Sequence, residues 1–325
     1  MTKPSTKPTT SRATAPTSAF ASLESLGIRP ARSGKVRETL DYGDQLVLVT
    51  TDRLSAFDCI LPTLLPGKGR ILNELSTFWL RGCGEFLPTH FISVDAAALP
   101  AELRPHAETL AGRWMLVRKA ERVSVECVVR GSLAGSGWRE YQETGTLWGE
   151  PLPPGLPPFG ELPIPLFTPT TKEETGHDRP IPRADLASVV GAELAQALER
   201  QSLSIFTRAR AFARARGLVL ADTKFEFGWI DGRLSLIDEA LTPDSSRYWT
   251  VESVERAKAG EGRPLSLDKQ YVRDHLLSLD WDQTPPAPAL SGAIVVEALR
   301  RYRLAAETLT AGATRPTWTS PEETR

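Results

Sequence analysis

Apolar and polar positions along the chain follow two rhythms, and these divide it into strands and helices. Residues 36–40 and 45–51 read as strands joined by a turn at Asp41-Tyr42-Gly43-Asp44. After a loop with Pro62, Pro66, Gly67 and Gly69, Ile71, Leu75 and Phe78 recur at helical spacing. Residues 114–119 and 122–129 read as strands, and 138–144 as a helix entered through a Gly/Ser loop. A dense proline cluster over 149–185 predicts a long loop, of the kind that serves as a lid, binding loop or linker. A helix is expected over about 186–216, closed by Gly217, with Arg208, Arg210, Arg214 and Arg216 on a solvated face. A hairpin follows, 218–230 and 233–240 around Asp231-Gly232, then helices near 266–279 and 292–309. Strands and helices mix loosely and no repeat is visible, which predicts an α+β fold rather than a regular parallel sheet.

Composition narrows the classes. At 325 residues, 41% apolar and 24% charged, the chain reads as an ordinary globular protein of about two domains. A net charge of −1 gives no footprint for nucleic acid or an anionic membrane. Cys59, Cys83 and Cys127 form no C-x-x-C, and the four histidines form no ligand pair. That pattern fits a reducing compartment and leaves oxygen ligands for any metal. Residues 1–19 are nearly all Thr, Ser, Pro, Lys and Ala and read as a disordered tail. No apolar signal-peptide core is expected there, and the prolines spoil the amphipathic helix of a transit peptide.

The segment Leu218-Val-Leu-Ala-Asp-Thr-Lys-Phe-Glu-Phe-Gly is the most informative. Period two puts Val219, Ala221, Thr223, Phe225 and Phe227 on a core face, and Asp222, Lys224 and Glu226 on the other. Ionisable groups beside a buried face need partners or a task. The return strand supplies Asp238. A two-residue loop at Asp231-Gly232 would set Asp238 opposite Phe225, on the wrong face. A three-residue loop ending in Gly232 sets it opposite Lys224 and diagonal to Glu226, about 7–8 Å away. In that register Glu226 and Asp238 could share a Mg²⁺ ion with water and phosphate oxygens. The competing reading is a salt-bridge ladder on a solvated face.

Several segments suit anions. Gly34 beside a strand allows close backbone approach to phosphates that Lys35 or Arg37 would neutralise, although the run matches neither the P-loop nor G-x-G-x-x-G. Pro66-Gly-Lys-Gly-Arg runs straight into a helix, so free N–H groups, the helix dipole and Lys68 make either an anion site or a solvated turn. Arg130-Gly-Ser-Leu-Ala-Gly-Ser-Gly-Trp offers a guanidinium, amides and hydroxyls including Ser136, a set that suits a phosphate monoester. Thr168-Pro-Thr-Thr-Lys172 adds hydroxyls and a lysine. Asp244 and Arg247 lie on a turn just after Asp238, and Asp58 is placed to orient an amine. Cys59 reads as a small buried apolar residue. With anion loops, a carboxylate pair and no His or Cys nucleophile, the residues point to ATP-dependent phosphoryl chemistry; they do not name the acceptor.

Taken in order, Gly34-Lys-Val-Arg, Thr51-Asp-Arg-Leu-Ser-Ala-Phe-Asp58, Pro66-Gly-Lys-Gly69, Arg130 to Trp138, Thr168 to Lys172, Asp222-Thr-Lys-Phe-Glu-Phe-Gly228 and Leu236 to Arg247 resemble the SAICAR synthetase family of purine biosynthesis. The match runs from about residue 34 to 250, and the proline-rich loop is similar to that of the family's longer, yeast-like branch. The resemblance implies a β-rich ATP-lid domain over 20–120 and a larger α+β domain with C-terminal helices over 121–310. Residues 1–19 and 311–325 would be tails, the second a polar one.

The implied reaction joins L-aspartate to the carboxylate of 5-amino-1-(5-phosphoribosyl)imidazole-4-carboxylate, CAIR, through an acyl phosphate, with ATP and Mg²⁺. Carried over by motif, Lys224, Asp222 and Asp58 are the catalytic groups. Gly34, Lys35, Arg37, Glu226 and Asp238 bind ATP, the last two also the metal. Arg130, Ser136, Arg247, Asp244 and Asp58 bind CAIR. Lys68, Gly69, Thr170 and Lys172 are candidates for aspartate. Glu38 departs from the family, standing where Asp is expected. The resemblance also implies a cytoplasmic enzyme, a monomer on the evidence of the yeast-like loop, with no nucleic-acid or membrane partner. The main rival is a small-molecule kinase, since Asp222-x-Lys224 followed by Asp238 echoes a kinase site. The H-R-D and D-F-G signatures are missing. A non-catalytic nucleotide-binding module would lack the carboxylate pair.

Overall fold

A computed structural model describes residues 18–172 and 179–318. The expected tail over 1–19 lies almost wholly outside the described residues, as do residues 319–325. The chain opens with an antiparallel hairpin, β1 (Arg37–Asp41) and β2 (Gln45–Thr50), turned at Gly43 with φ 84°. A helix follows, α1 (Lys68–Cys83), then β3 (Phe91–Ser93) and β4 (Trp114–Arg118). The sheet order is Arg32–Ser33, β1, β2, β4, β3. Alternation along β2 and β4 serves two cores. Val47, Val49, Trp114 and Leu116 pack on Phe20, Leu23 and Leu103, while Leu48, Met115 and Val117 join the cluster around α1.

The second sheet is built on one long strand. Its members are β5 (Val125–Ser132), followed by helix α2 (Gly135–Thr144), and β6 (Glu161–Phe167), followed by helix α3 (Ala192–Arg214). Then come β7 (Leu218–Ile230), β8 (Arg233–Ile237) and β9 (Ser246–Thr250). β7 pairs with β5 along one edge and with β9 and then β8 along the other. Helices α4 (Val251–Lys258), α5 (Gln270–Leu277) and α6 (Gly292–Thr310) complete the chain. The architecture is α+β.

Several expectations change. The proline cluster is not one loop: β6 passes through it, with Pro163 and Pro165 inside the strand. It is tolerated because β6 is the sheet's edge, where a missing N–H breaks no further ladder. The helix expected over 186–216 is broken at Gly191, whose φ of 86° ends a first turn before α3 begins. Of the arginines on its solvated face, Arg210 and Arg214 pair with Glu161, and Arg208 lies over the Phe86 ring. β9 and α4 had no counterpart in the periodicity.

The two sheets share one core. Phe78 and Trp79 of α1 meet Phe212 of α3, and Leu48 and Val117 belong to the same cluster as Val125 and Phe225. Within the 311–325 stretch expected as a polar tail, Trp318 stacks on Trp79 at 5.9 Å and donates its indole N–H to the Gly82 carbonyl at 2.8 Å. Among the described residues no helix is long and apolar enough to cross a membrane.

Candidate active site

The site is built on β7. Its register shifts between Leu220, opposite Tyr248, and Asp222, opposite Arg247, so Ala221 is an extra residue. This bulge reverses the strand's faces. Leu218 and Leu220 share the main core with Phe225 and Phe227, whereas Val219 and Ala221 face Trp249 and Val254. The single core face expected from 219 to 227 is therefore corrected: it holds only beyond the bulge. There Asp222, Lys224 and Glu226 do share the other face, opposite Arg130, Val128 and, one pair further on, Glu126.

The hairpin register is also corrected. Ile230 pairs with Arg233 and Glu226 with Ile237, so the loop is the two-residue Asp231-Gly232, with φ of 48° and 72°. Both residues are left-handed, the geometry a twisted two-residue hairpin needs. In that register a strand would aim Asp238 into the core. Instead Asp238 leaves the ladder with φ 62°. Its carboxylate accepts from Arg37 Nη2 at 2.6 Å. Burial lifts its pKa to about 6, with Glu226 and Glu239 pushing the same way and Arg37 and Lys172 opposing. The two carboxylates thus feel each other, through a turn in place of a diagonal register.

Around them the cations interlock. Lys172 pairs with Glu226 at 2.9 Å and with Glu126, and Lys224 donates to Glu126 at 2.9 Å. Burial would lower the Lys172 pKa, but Glu226 and Glu126 hold it raised. Residues 170–171 pair with β5 at Glu126 and Val125, which carries Thr170 and Lys172 to the site. The Thr170 hydroxyl is buried with no partner among the described residues.

Toward the N-terminal sheet, the 33–36 loop is held by Arg53. Its guanidinium donates to the carbonyls of Gly34 at 2.9 Å, Lys35 at 3.2 Å and Ala21 at 3.0 Å, and to Glu38 at 2.8 Å. The Glu38 side chain also accepts from the Leu23 amide, so this departure from the family is structurally used. The Lys35 ammonium and Asp58, both half-exposed, form an ion pair with each other.

The start of α1 differs from expectation. Gly69 donates its amide to Asp52 Oδ1 at 2.8 Å, and Arg113 pairs with the same carboxylate at 3.1 Å. The protein's own Asp52 therefore occupies the expected anion site. Lys68 is wholly buried, and its ammonium donates to Asp244 at 2.8 Å and to the Arg53 carbonyl at 2.9 Å. Asp244 also accepts from the Tyr302 hydroxyl at 2.7 Å. Burial would raise the Asp244 pKa, but Lys68, Lys269 and the Tyr302 bond hold it at about 2. Lys68, Gly69 and Asp244 thus tie α1, the 242–245 turn and α6 together.

At the other end of the β7 face is a cluster of cations. Arg247 pairs with Asp222, and Arg130 donates to Thr168 Oγ1 at 3.1 Å and stacks on Trp148 at 4.7 Å. Gly135 opens α2 with φ 54°, and a Cβ there would stand 3.4 Å from Arg247 Nη2. The exposed Ser136 follows it in the helix's uncapped first turn. Lys269 and Arg273 complete the cluster. Burial lowers the Lys269 pKa to about 8, and neighbouring Arg273 and Lys224 add to the effect against Asp244 and Glu239.

Sequence reasoning missed Glu126, Glu239, Lys269, Arg273 and the role of Arg53. Counting back by twos from Arg130 would have found Glu126. Lys269 and Arg273, four apart at the start of α5, carried a helical signal as well. Glu239 and Arg53 carried none beyond adjacency to residues already named.

One strand face therefore runs from a cation cluster to a carboxylate pair beside a second cationic loop. The SAICAR synthetase family signature matches residues 30–288. The chain is 49% identical over 284 residues to the phosphoribosylaminoimidazole-succinocarboxamide synthase of Desulfosudis oleivorans, covering 87% of this chain and 96% of that one. It is 46% identical over 285 residues to the enzyme of the same name from Pelobacter propionicus, covering 87% and 95%. Among solved structures, SAICAR synthase from Saccharomyces cerevisiae, complexed with SAICAR, superposes with a TM-score of 0.76 at 34% identity, covering 88% and 95%. A SAICAR synthetase solved with ADP shares the fold, with a TM-score of 0.63 at 24% identity, covering 87% and 98%.

The class so defined is an ATP-dependent carbon–nitrogen ligase. The chain belongs to the SAICAR synthetase family, which works in purine biosynthesis, and nothing supports the kinase reading.

Proposed function

We propose that this chain phosphorylates the carboxylate of CAIR with ATP and passes the acyl group to L-aspartate, with the β7 face as the reaction track. The observation that carries this reading is the turn at Asp238, which brings its carboxylate beside Glu226 and against Arg37 of the first sheet. From Asp222 to Glu226 is roughly 13 Å along a strand, a span a ribotide can bridge.

Arg130, Arg247 and Ser136, with Lys269 and Arg273, take the 5′-phosphate; Asp222 keeps Arg247 aimed. Asp58 accepts from the imidazole amine once Lys35 turns to the ATP phosphates beside Gly34. A CAIR carboxylate oxygen attacks the γ-phosphorus and ADP leaves, with Lys224 neutralising the charge in transit. The aspartate amine then attacks the acyl carbon, phosphate departs and the amine loses a proton. Thr170 and Lys172 face the aspartate, which the unpartnered Thr170 hydroxyl supports.

The donor set fits Mg²⁺. Among the described residues no cluster of three metal-type side chains forms, so Glu226 and Asp238 would hold the ion with water and phosphate oxygens. Burial is the main cause of the raised Asp238 pKa, and a bound cation would favour the ionised carboxylate. When bound, Mg²⁺ supplies charge neutralisation at the β- and γ-phosphates. On the same footing we infer that residues 20–120 form the nucleotide lid and 121–310 the ribotide domain. We infer further a cytoplasmic monomer with no nucleic-acid or membrane partner, in keeping with the net charge of −1.

The test is ADP release from Mg·ATP with CAIR and L-aspartate, each omitted in turn. ADP and a succinocarboxamide are expected only with both acceptors present; ADP formed equally without aspartate would overturn the reading. Asp238→Asn should lower kcat at least a hundredfold and weaken the Mg²⁺ dependence while the melting temperature stays within a few degrees. A salt-bridge ladder would show the reverse.

A further inference from the structure

A cleft of about 820 Å³ opens between the end of α1, the 84–91 segment, the start of β8 and the segment after α6. It lies away from the reaction track: Arg233 begins β8 and Asp238 follows its other end, roughly 16 Å along the strand. Arg81, Arg233 and Arg315 line it, and among the described residues Glu85 is its one carboxylate.

Surface charges normally interleave, so that each cation finds an acid nearby. Here Arg315 pairs with Glu85 at an exposed position where water screens the bond. Arg233 has no side-chain hydrogen bond or ion pair among the described residues. The Arg81 guanidinium lies 5.5 Å over the Phe91 ring, which holds its plane and leaves its N–H edge unused. The wall is fixed rather than loose: the His90 amide donates to the Leu236 carbonyl at 3.0 Å, and the Leu236 amide to the Pro88 carbonyl at 2.9 Å. The Thr89 hydroxyl adds a neutral polar group to the lining.

We propose that this cleft is a second anion site, which binds a small phosphorylated molecule carrying at least two negative charges. Guanidinium forks match phosphate oxygens by paired N–H bonds, and the volume lies within the range of small-ligand pockets. Inorganic polyphosphate and a nucleotide tail share this chemistry. A preference for the nucleotide would show that the cleft also contacts a base.

The experiment titrates inorganic tripolyphosphate, and separately GTP, into the full chain by calorimetry. A non-hydrolysable ATP analogue with Mg²⁺, together with CAIR, saturates the nucleotide and 5′-phosphate sites throughout. One further equivalent is expected to bind, weakened at least tenfold by Arg81→Gln with Arg233→Gln, and weakened again at about 0.3 M salt. The paired variant should keep wild-type turnover; if it folds poorly, Arg233→Gln alone carries the test, since that side chain is exposed. Tighter binding of GTP than of tripolyphosphate assigns a contact to the base, and equal binding assigns a phosphate-only site. Absence of binding beyond the blocked sites, or equal affinity in the variants, overturns the proposal.

Discussion

His90 illustrates how a single buried side chain bears on the turn that carries Asp238. Burial drives its pKa down to about 3, a bond to the Asp238 backbone opposes this, and Arg37 adds to it. The ring is neutral in the folded protein, whereas in the unfolded chain it takes a proton below about pH 6.5. Its contribution is therefore whole above pH 6.5 and is lost as the pH falls toward 3. Asp238 runs the other way. Its pKa is raised from 3.8 to about 6, so its protonation favours the fold as the pH falls through that window. Urea unfolding of wild type and His90→Gln between pH 7 and pH 4 separates the two, because only the histidine is changed. The variant should lose less stability on acidification; parallel slopes would sink the assignment. Lys68 is a second residue-scale case. Lys68→Met leaves Asp244 buried without its main partner and should cost roughly 3–5 kcal/mol in denaturant unfolding.

At the scale of elements, two close approaches shape the nucleotide side. A Cβ on Gly69 would stand 2.4 Å from the Thr50 carbonyl and 2.8 Å from that of Thr51. Gly69→Ala must push α1 off the end of β2 and should cost about 1–3 kcal/mol, read as a lowered denaturation midpoint. The 33–36 loop depends on Arg53, which donates to the carbonyls of Gly34 and Lys35 within it and ties it to the Ala21 carbonyl. Arg53→Ala should raise KM for ATP about tenfold while kcat changes less, since the loop's amides are disordered before binding instead of aligned. An equal fall in kcat with KM unchanged would place Arg53 in the chemistry instead.

At the scale of the whole molecule, two aromatic residues from segments far apart in the chain close the core. Phe20 docks on the first sheet and accepts the Arg113 guanidinium over its ring at 5.0 Å, while Trp318 covers Trp79, Phe86 and Phe212. Neither touches the reaction track. Trp318→Ala should cost about 3 kcal/mol of global stability and leave kcat unchanged below the unfolding transition. Loss of activity at full stability would tie the C-terminal segment to turnover.

Legibility in the sequence divides along the same scales. The strands β1, β2 and β4, the helical spacing of α1 and the position of a turn at Asp231-Gly232 were readable, because each is a property of one segment's own backbone. The order of the motifs that carry Arg130, Lys224, Glu226, Asp238 and Arg247 pointed to the family. What the residues could not show was which partner each would meet. The bulge at Ala221 depends on β9, which pairs with β7 across some twenty-five residues of chain. The left-handed turn at Asp238 replaces the register that local reasoning needed. Asp52 fills the α1 terminus from an adjacent strand end, Lys68 is spent on a turn far along the chain, and Lys269 and Arg273 arrive from α5. Pairings of this kind are set by the free energy of contacts between distant segments, competing with solvent and with one another, and only the folded chain decides that competition.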